Sequence, residues 1–253
     1  MTDLAVDLFS GLRGGGSGFV RLGFRVIGVE LNGKVNEEAR KLHDYIEDHV
    51  MSVFDIDEEW CKALIAKHGP VKVVWASPPC TSFSVASCGK HWNPPAPDGT
   101  RTPKSEAAEL GVALVEQTLR IIEWLQPDFF WIENPVGILR KLPLLDHLQH
   151  VKITYCRYGE ERMKPTDLWG KWPSSWSPRP ECTQRSNRVG TMMHDGKEYV
   201  PDKQGNACHV AGRRGSKTGT QGLKGNALRS VVAHELSDEV AQSVLDGDVE
   251  VWL

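Results

Sequence analysis

No stretch of the 253-residue chain approaches the ~18 consecutive apolar residues that a membrane-spanning helix needs, so no membrane partner is expected. The opening residues, MTDLAVDLFSGLRGGG, lack a basic region followed by an apolar core, and no secretory leader is expected either. Without a leader, the six cysteines (61, 80, 88, 156, 182 and 208) read as reduced thiols and not as a disulfide framework, which points to the cytoplasm. No C-x-x-C pair is present, which removes the commonest zinc spacing. Internal repeats are missing too, which removes solenoids and propellers. Neither sign of charge dominates, with 30 Lys and Arg against 33 Asp and Glu.

That near-balance conceals an asymmetry. Residues 151–230 carry 15 Lys and Arg against 7 Asp and Glu, a local balance of +8, whereas the rest carries 15 against 26, or −11. A basic segment on an acidic body suggests a local contact with a polyanion; a solvated basic face is the alternative.

Short apolar runs alternate with helical stretches over the first 155 residues. Residues 4–9, 25–30, 71–76 and 128–133 have strand character, with 49–53 a weaker candidate. Helical segments lie between them near 34–43, 57–68 and 105–125; a last one is expected at 235–245. Strands separated by helices imply right-handed crossovers and a doubly wound, mostly parallel α/β sheet, whose ligands sit at the carboxyl ends of the strands. From about residue 158 the chain is rich in Gly, Pro, Ser, Arg and Trp and reads as a small, loop-rich, partly β subdomain. The expected division is therefore 1–157 with 231–253 as the cofactor-binding catalytic domain, and 158–230 as a target-recognition subdomain.

The strand ends carry the chemistry. The first leads into a glycine-rich turn over 7–19 (DLFSGLRGGGSGF), where backbone can approach a nucleotide-like ligand. The second ends in Glu30, suited to ribose hydroxyls, and Asp55 follows the third candidate. The fourth ends in Ser77-Pro78-Pro79-Cys80, whose prolines stiffen the backbone before a thiol. The fifth ends in Glu133-Asn134-Pro135. Each alone is compatible with an ordinary turn, a buried thiol or a surface carboxylate.

Taken in order, DLFSG, the Glu after strand two, PPC and ENP resemble the cytosine-5 DNA methyltransferase family, over most of residues 3–170. Parts of the tail, such as CHVAGRRGSKTGTQG over 208–222, are similar to small phage-type members. The resemblance implies a Rossmann-like fold that binds S-adenosylmethionine and transfers a methyl group to carbon 5 of a flipped-out cytosine in double-stranded DNA. It implies a monomer in the cytoplasm of a bacterial or phage-infected cell. It assigns nucleophilic catalysis to Cys80, the acid or donor at ring nitrogen 3 to Glu133, and the aiming of that acid to Asn134. Cofactor contacts are implied for Asp7, Phe9, Ser10, Gly11, Leu12, Arg13, Gly14, Glu30, Leu31, Asp55, Ile56 and Pro78. The segment 81–104 is longer than most connections and is expected to be a lid, with Lys90, His91 and Arg101 as phosphate candidates. Arg213, Arg214 and Lys217 are further phosphate candidates.

Three features depart from the family pattern. Arg13 stands where the family has a glycine. Its guanidinium either reaches solvent or pairs with an extra anion, as on a carboxylated S-adenosylmethionine. Arg162-Met163-Lys164-Pro165-Thr166 replaces the family's QxRxR segment, leaving Lys164 as the candidate basic contact at the site. Gly225-Asn226-Ala227-Leu228 only faintly echoes the closing GNxV-like segment. Cys182, Cys208 and His209, with Cys156 or His194, offer a zinc reading, but their spacing is not a zinc signature and no metal ligand is assigned. An exocyclic-amine methyltransferase and a non-catalytic DNA-binding module are competing readings; Cys80 and Glu133 together weigh against both.

Overall fold

The computed structural model describes residues 2–85, 87–211 and 230–247. Its centre is a seven-stranded sheet in the order β3-β2-β1-β4-β5-β7-β6. The strands are β1 (Leu4–Leu8), β2 (Arg25–Glu30), β3 (Glu47–Val50), β4 (Val71–Ala76), β5 (Phe129–Pro135), β6 (Gln149–Thr154) and β7 (Pro165–Lys171). β3, β2, β1, β4 and β5 pair in parallel, while β7 runs antiparallel between β5 and β6. The expected doubly wound α/β sheet is the one observed.

Period-2 alternation places side chains on two buried faces. Leu4, Val6 and Leu8 of β1 join one apolar cluster with Phe130 and Ile132 of β5, whereas Ala5 joins the other with Phe129 and Trp131. Burial on both sides is why these strands read as continuous apolar runs. The first cluster is covered by α3 (Glu58–His68) and α5 (Glu106–Leu125). In α5, Ala108, Gly111, Val115, Thr118, Ile121, Ile122 and Leu125 are buried at helical spacing, and Ser105 caps the start by accepting from the Ala108 amide.

The opposite face is covered by α1 (Ser17–Arg21) and α7 (His234–Asp246). These two are joined by the Gly18 amide donating to Ser237 Oγ at 2.8 Å and by Ser17 Oγ with His234 Nδ1 at 3.0 Å. Residues 231–247 thus return to the domain that holds the N-terminus. Two other helices are short: α2 (Gly33–Ala39) follows β2, and α4 (Cys88–His91) follows the Cys80 loop. Among the described residues, no helix is long and apolar enough to cross a membrane.

The expected division at residue 158 is corrected by β7. That strand is hydrogen-bonded on both sides inside the main sheet, so the sheet continues to Lys171. The tryptophans beyond it also belong to this core: Trp172 stacks on Trp131 at 6.5 Å, and Trp176 meets both edge-on. What remains apart is α6 (Ser186–Val189) and a three-stranded antiparallel sheet of β8 (Met192–His194), β9 (Lys197–Pro201) and β10 (Ala207–Val210). Arg213, Arg214, Lys217 and the segment Gly225-Asn226-Ala227-Leu228 lie outside the described residues.

Candidate active site

One cleft of about 820 Å³ opens at the carboxyl ends of β1, β2, β4 and β5. This volume falls within the range usual for small-molecule sites. Phe9, Gly11, Glu30, Leu31, Pro78, Cys80, Glu133 and Lys164 all line it. Residues distant in sequence by over a hundred positions therefore meet because adjacent parallel strands end at one edge.

At the β1–β2 side, the turn after β1 is wound tightly: Phe9, Gly11 and Arg13 all have positive φ, at 58°, 50° and 62°. Arg13 and Phe9 hold this left-handed conformation without the freedom of glycine, so the surrounding contacts must enforce it. Gly11 faces the cleft and donates its amide to Glu30 Oε2 at 3.0 Å, while the Asn32 amide donates to Oε1 at 2.8 Å. Two backbone donors fix the carboxylate, yet each oxygen keeps a lone pair for a ligand hydroxyl. Phe9, Met51 and Val53 supply apolar wall beside it. The turn holding Val53 is itself held by α5, where Gln117 Nε2 donates to the carbonyls of Val53 and Ile56 at 3.2 and 2.8 Å.

Several residues assigned to the cofactor lie elsewhere. Asp7 is buried beneath the turn and accepts from the Tyr45 hydroxyl at 2.6 Å. Burial pushes its carboxyl up to about 7, against the pull of that hydrogen bond and of Arg13. Ser10, Leu12 and Ile56 do not line the cleft, and Asp55 is exposed outside it. Gly14 serves packing: a Cβ there would sit 2.6 Å from the backbone nitrogen of Val232. Gly14 and Gly18 thus seat the returning C-terminal segment, which brings Ser230 to the cleft, while Gly15 and Gly16 make room for Trp75 and Tyr45.

Both readings of Arg13 are overturned. Its side chain is fully buried and points away from the cleft. It donates to the His43 carbonyl, to Asn36 Oδ1 at 3.3 Å and to Asp48 Oδ1 at 2.5 Å, with Tyr45's ring 4.1 Å away. The guanidinium neither reaches solvent nor stands where a carboxylated cofactor would need a cation. The residues present do not fit that group.

At the β4–β5 side, Cys80 is half-buried, with its carbonyl accepting from the amides of Phe83 and Ser84 at 3.1 and 3.0 Å. Glu133 is 4% exposed, at the end of β5. Between the two, Asn134 does not touch the cleft; its Nδ2 donates to the Pro78 carbonyl at 2.9 Å and so ties the thiol-bearing loop to the carboxyl-bearing strand. The side chain thus serves the geometry of the two segments and leaves the cleft to Cys80 and Glu133.

Two donors converge on Glu133 Oε1: the Tyr155 hydroxyl at 2.8 Å and Lys164 Nζ at 3.4 Å. Lys164 also lies 4.4 Å over the Tyr155 ring. Burial first, and then the Glu133 charge, hold Tyr155 well above the usual tyrosine value, which keeps its hydroxyl a donor. Tyr155 is a site residue that sequence reasoning missed, whereas Arg162, a cleft-lining side chain paired with Glu160 at 2.9 Å, was named only as part of the segment replacing QxRxR, with Lys164 preferred. The only signal for Tyr155 was its position directly after β6.

The segment 81–104 is anchored at its base. Phe83 and Trp92 are buried and stack at 6.0 Å, Trp92 Nε1 donates to the Ser82 carbonyl, and the Ile138 amide donates to Phe83's carbonyl. His91 is buried against Ser105 Oγ at 2.7 Å, so it is withdrawn from any phosphate role. Residues 94–100 are the exposed tip.

The C-5 cytosine-specific DNA methylase profile matches residues 4–152, which include all four strands whose ends open into the cleft. A Frog virus 3 (isolate Goorha) protein named "probable DNA (cytosine-5)-methyltransferase" is 34% identical over 150 residues, covering 54% of this chain and 65% of that protein. The chain thus matches just under two thirds of its relative's length. The Entamoeba histolytica methyltransferase EhMeth superposes with a TM-score of 0.55 at 10% identity, covering 97% of this chain and 98% of that one, a likeness of fold. With the profile spanning more than half the sequence, the chain belongs to the C-5 cytosine-specific DNA methylase family.

Proposed function

We propose that this chain is a DNA cytosine-5 methyltransferase that uses S-adenosylmethionine and a covalent Cys80 adduct. The observation that carries the reading is the opening of Cys80 and Glu133 into the same cleft as Phe9 and Glu30, with Asn134 locking the two catalytic loops together. S-adenosylmethionine fits the β1–β2 half: Glu30 retains acceptor capacity for two hydroxyls, and apolar wall stands beside it. When bound, it supplies an electrophilic methyl group on a sulfonium.

Phe9, Gly11, Glu30, Leu31 and Pro78 hold the cofactor. Carbon 5 of cytosine is a poor nucleophile, and Cys80 corrects this. Its thiolate adds to carbon 6, a C–S bond forms, the 5,6 double bond is lost, and electron density moves to nitrogen 3 and carbon 5. Glu133 meets nitrogen 3 with a proton or a strong hydrogen bond while Tyr155 and Lys164 keep its carboxyl in place. Once carbon 5 carries the methyl group, a base removes its proton and the C–S electrons return to sulfur, restoring the ring. In duplex DNA the target base reaches Cys80 only after flipping out of the stack.

A duplex pool carrying 5-fluorocytosine at every cytosine tests this, because fluorine blocks the final proton loss. The wild-type chain with S-adenosylmethionine is expected to give a denaturant-resistant protein–DNA band, and Cys80→Ala none. Methyl transfer to ordinary cytosine by Cys80→Ala would overturn the covalent route.

A further inference from the structure

The absence of C-x-x-C spacing argued against a metal, yet the fold assembles a ligand set from three separate segments. Cys156 lies in the turn after β6, Cys182 in the loop after β7, and Cys208 and His209 in β10. One ligating atom from each lies within 4.8 Å of all the others. We propose that Cys156, Cys182, Cys208 and His209 bind one structural zinc ion that fastens the three-stranded sheet to the catalytic domain.

The distances suit the ion. With Zn–S near 2.3 Å and Zn–N near 2.0–2.1 Å, a tetrahedron has edges of about 3.8 Å between sulfurs and about 3.6 Å from sulfur to nitrogen. Cys182 Sγ lies 3.7 Å from Cys208 Sγ and 3.7 Å from His209 Nδ1. That spacing is too long for a disulfide, and all six cysteines are thiols. His209, 4% exposed, turns Nδ1 toward the thiols, which leaves Nε2 to carry the ring proton.

Backbone geometry supports the same assignment. Neighbouring residues on a regular strand point to opposite faces, so Cys208 and His209 should not serve one ion. Here β10 carries a bulge: Ala207 pairs with Pro201 and His209 with Val200, leaving Cys208 as the extra residue. A bulge re-aims a side chain, and this one lets consecutive residues face one point. On the other side, the Cys182 amide donates to Thr154 Oγ1 at 2.8 Å, which holds it beside the end of β6.

The small sheet also needs a fastening. Tyr199, Val200 and His209 are its buried side chains among the described residues, too few to stabilise three strands alone. Oxygen ligands are missing from the set, and three thiolates with one imidazole favour zinc over magnesium or calcium. Cys156 directly follows Tyr155, the donor to Glu133, so the ion would brace the catalytic acid's support as well.

The full-length chain, purified with reductant and passed through gel filtration, is the material for the test. Elemental analysis is expected to find one zinc per chain, X-ray absorption at the zinc edge three sulfurs and one nitrogen, and chelation a lower melting midpoint. Cys182→Ser should lose zinc by ~10-fold or more, while Cys88→Ser, outside the cluster, keeps it. The absorption measurement needs no variant, so a misfolded Cys182→Ser leaves the proposal open to refutation. Metal-free protein that stays so after incubation with zinc, iron in place of zinc, an oxygen-rich ligand shell, or a mass two hydrogens short from a Cys182–Cys208 disulfide would each overturn it.

Discussion

Tyr155 contributes a single hydroxyl to the site, and its geometry sets what removing it should do. The ring is fully buried and the oxygen donates to Glu133 Oε1 at 2.8 Å. Tyr155→Phe keeps the ring and deletes only the donor. A hydrogen bond to a charged group is worth about 1.5–3 kcal/mol, so kcat is expected to fall by roughly 10- to 100-fold if the bond matters most as charge moves at nitrogen 3. KM for DNA and for the cofactor should stay near wild type, and the melting midpoint should move little. A rise in KM with unchanged kcat would show that Tyr155 shapes the cleft and does not support the acid. The residues legible from sequence at this scale were those inside short, stiff motifs: Cys80 behind two prolines and Glu133 before Asn-Pro. Tyr155 and Ser230 carry no such punctuation; only the pairing of β6 with β7 sets Tyr155 behind Glu133, and only the returning C-terminal segment brings Ser230 to the cleft.

At the scale of elements, Arg13 shows how a motif can mislead. Its position in a glycine-rich turn suggested a ligand contact, but its partners come from three places: Asn36 of α2, the His43 carbonyl, and Asp48 of β3. It is a strut between the first loop and the sheet's outer edge. Arg40 also reaches Asp48, at 2.8 Å, so the carboxylate keeps one cation when Arg13 is removed. Breaking a buried pair costs about 3–5 kcal/mol, and Arg13→Leu is therefore expected near the lower end. Urea unfolding would measure it; an unchanged midpoint with weakened cofactor binding would restore the ligand reading. The four central parallel strands were legible because burial on both faces writes continuous apolar runs, while β3 (EDHV), partly exposed at the edge, was met only by the weaker candidate at 49–53. β7 was not: PTDLWGK opens with proline, holds a buried Asp167 paired with Arg140, and includes Gly170, whose added Cβ would lie 2.0 Å from the Phe130 carbonyl oxygen. Tertiary pairing, not local propensity, makes it a strand.

For the whole molecule, the same buried network imposes a pH dependence on folding. Asp7 sits under the first loop with a carboxyl raised to about 7, against an ordinary value of 3.8. Between those values the folded chain holds a proton that the unfolded chain has released, so protonation favours the fold. The contribution is complete below pH ~4, declines as pH rises toward ~7, and levels off above, when a charged carboxylate must remain buried. Each pH unit in that window takes at most about 1.4 kcal/mol from stability. Asp7→Asn retains an acceptor for the Tyr45 hydroxyl and removes the titration. Stability should then differ between variant and wild type by an amount that moves in the variant's favour from pH 5 to pH 7 and is constant from pH 7.5 upward. Taking the difference cancels the groups that titrate alike in both chains. Parallel urea-midpoint curves across that range would mean that Asp7 is ionised at every pH tested, with Arg13 close enough to outweigh its burial.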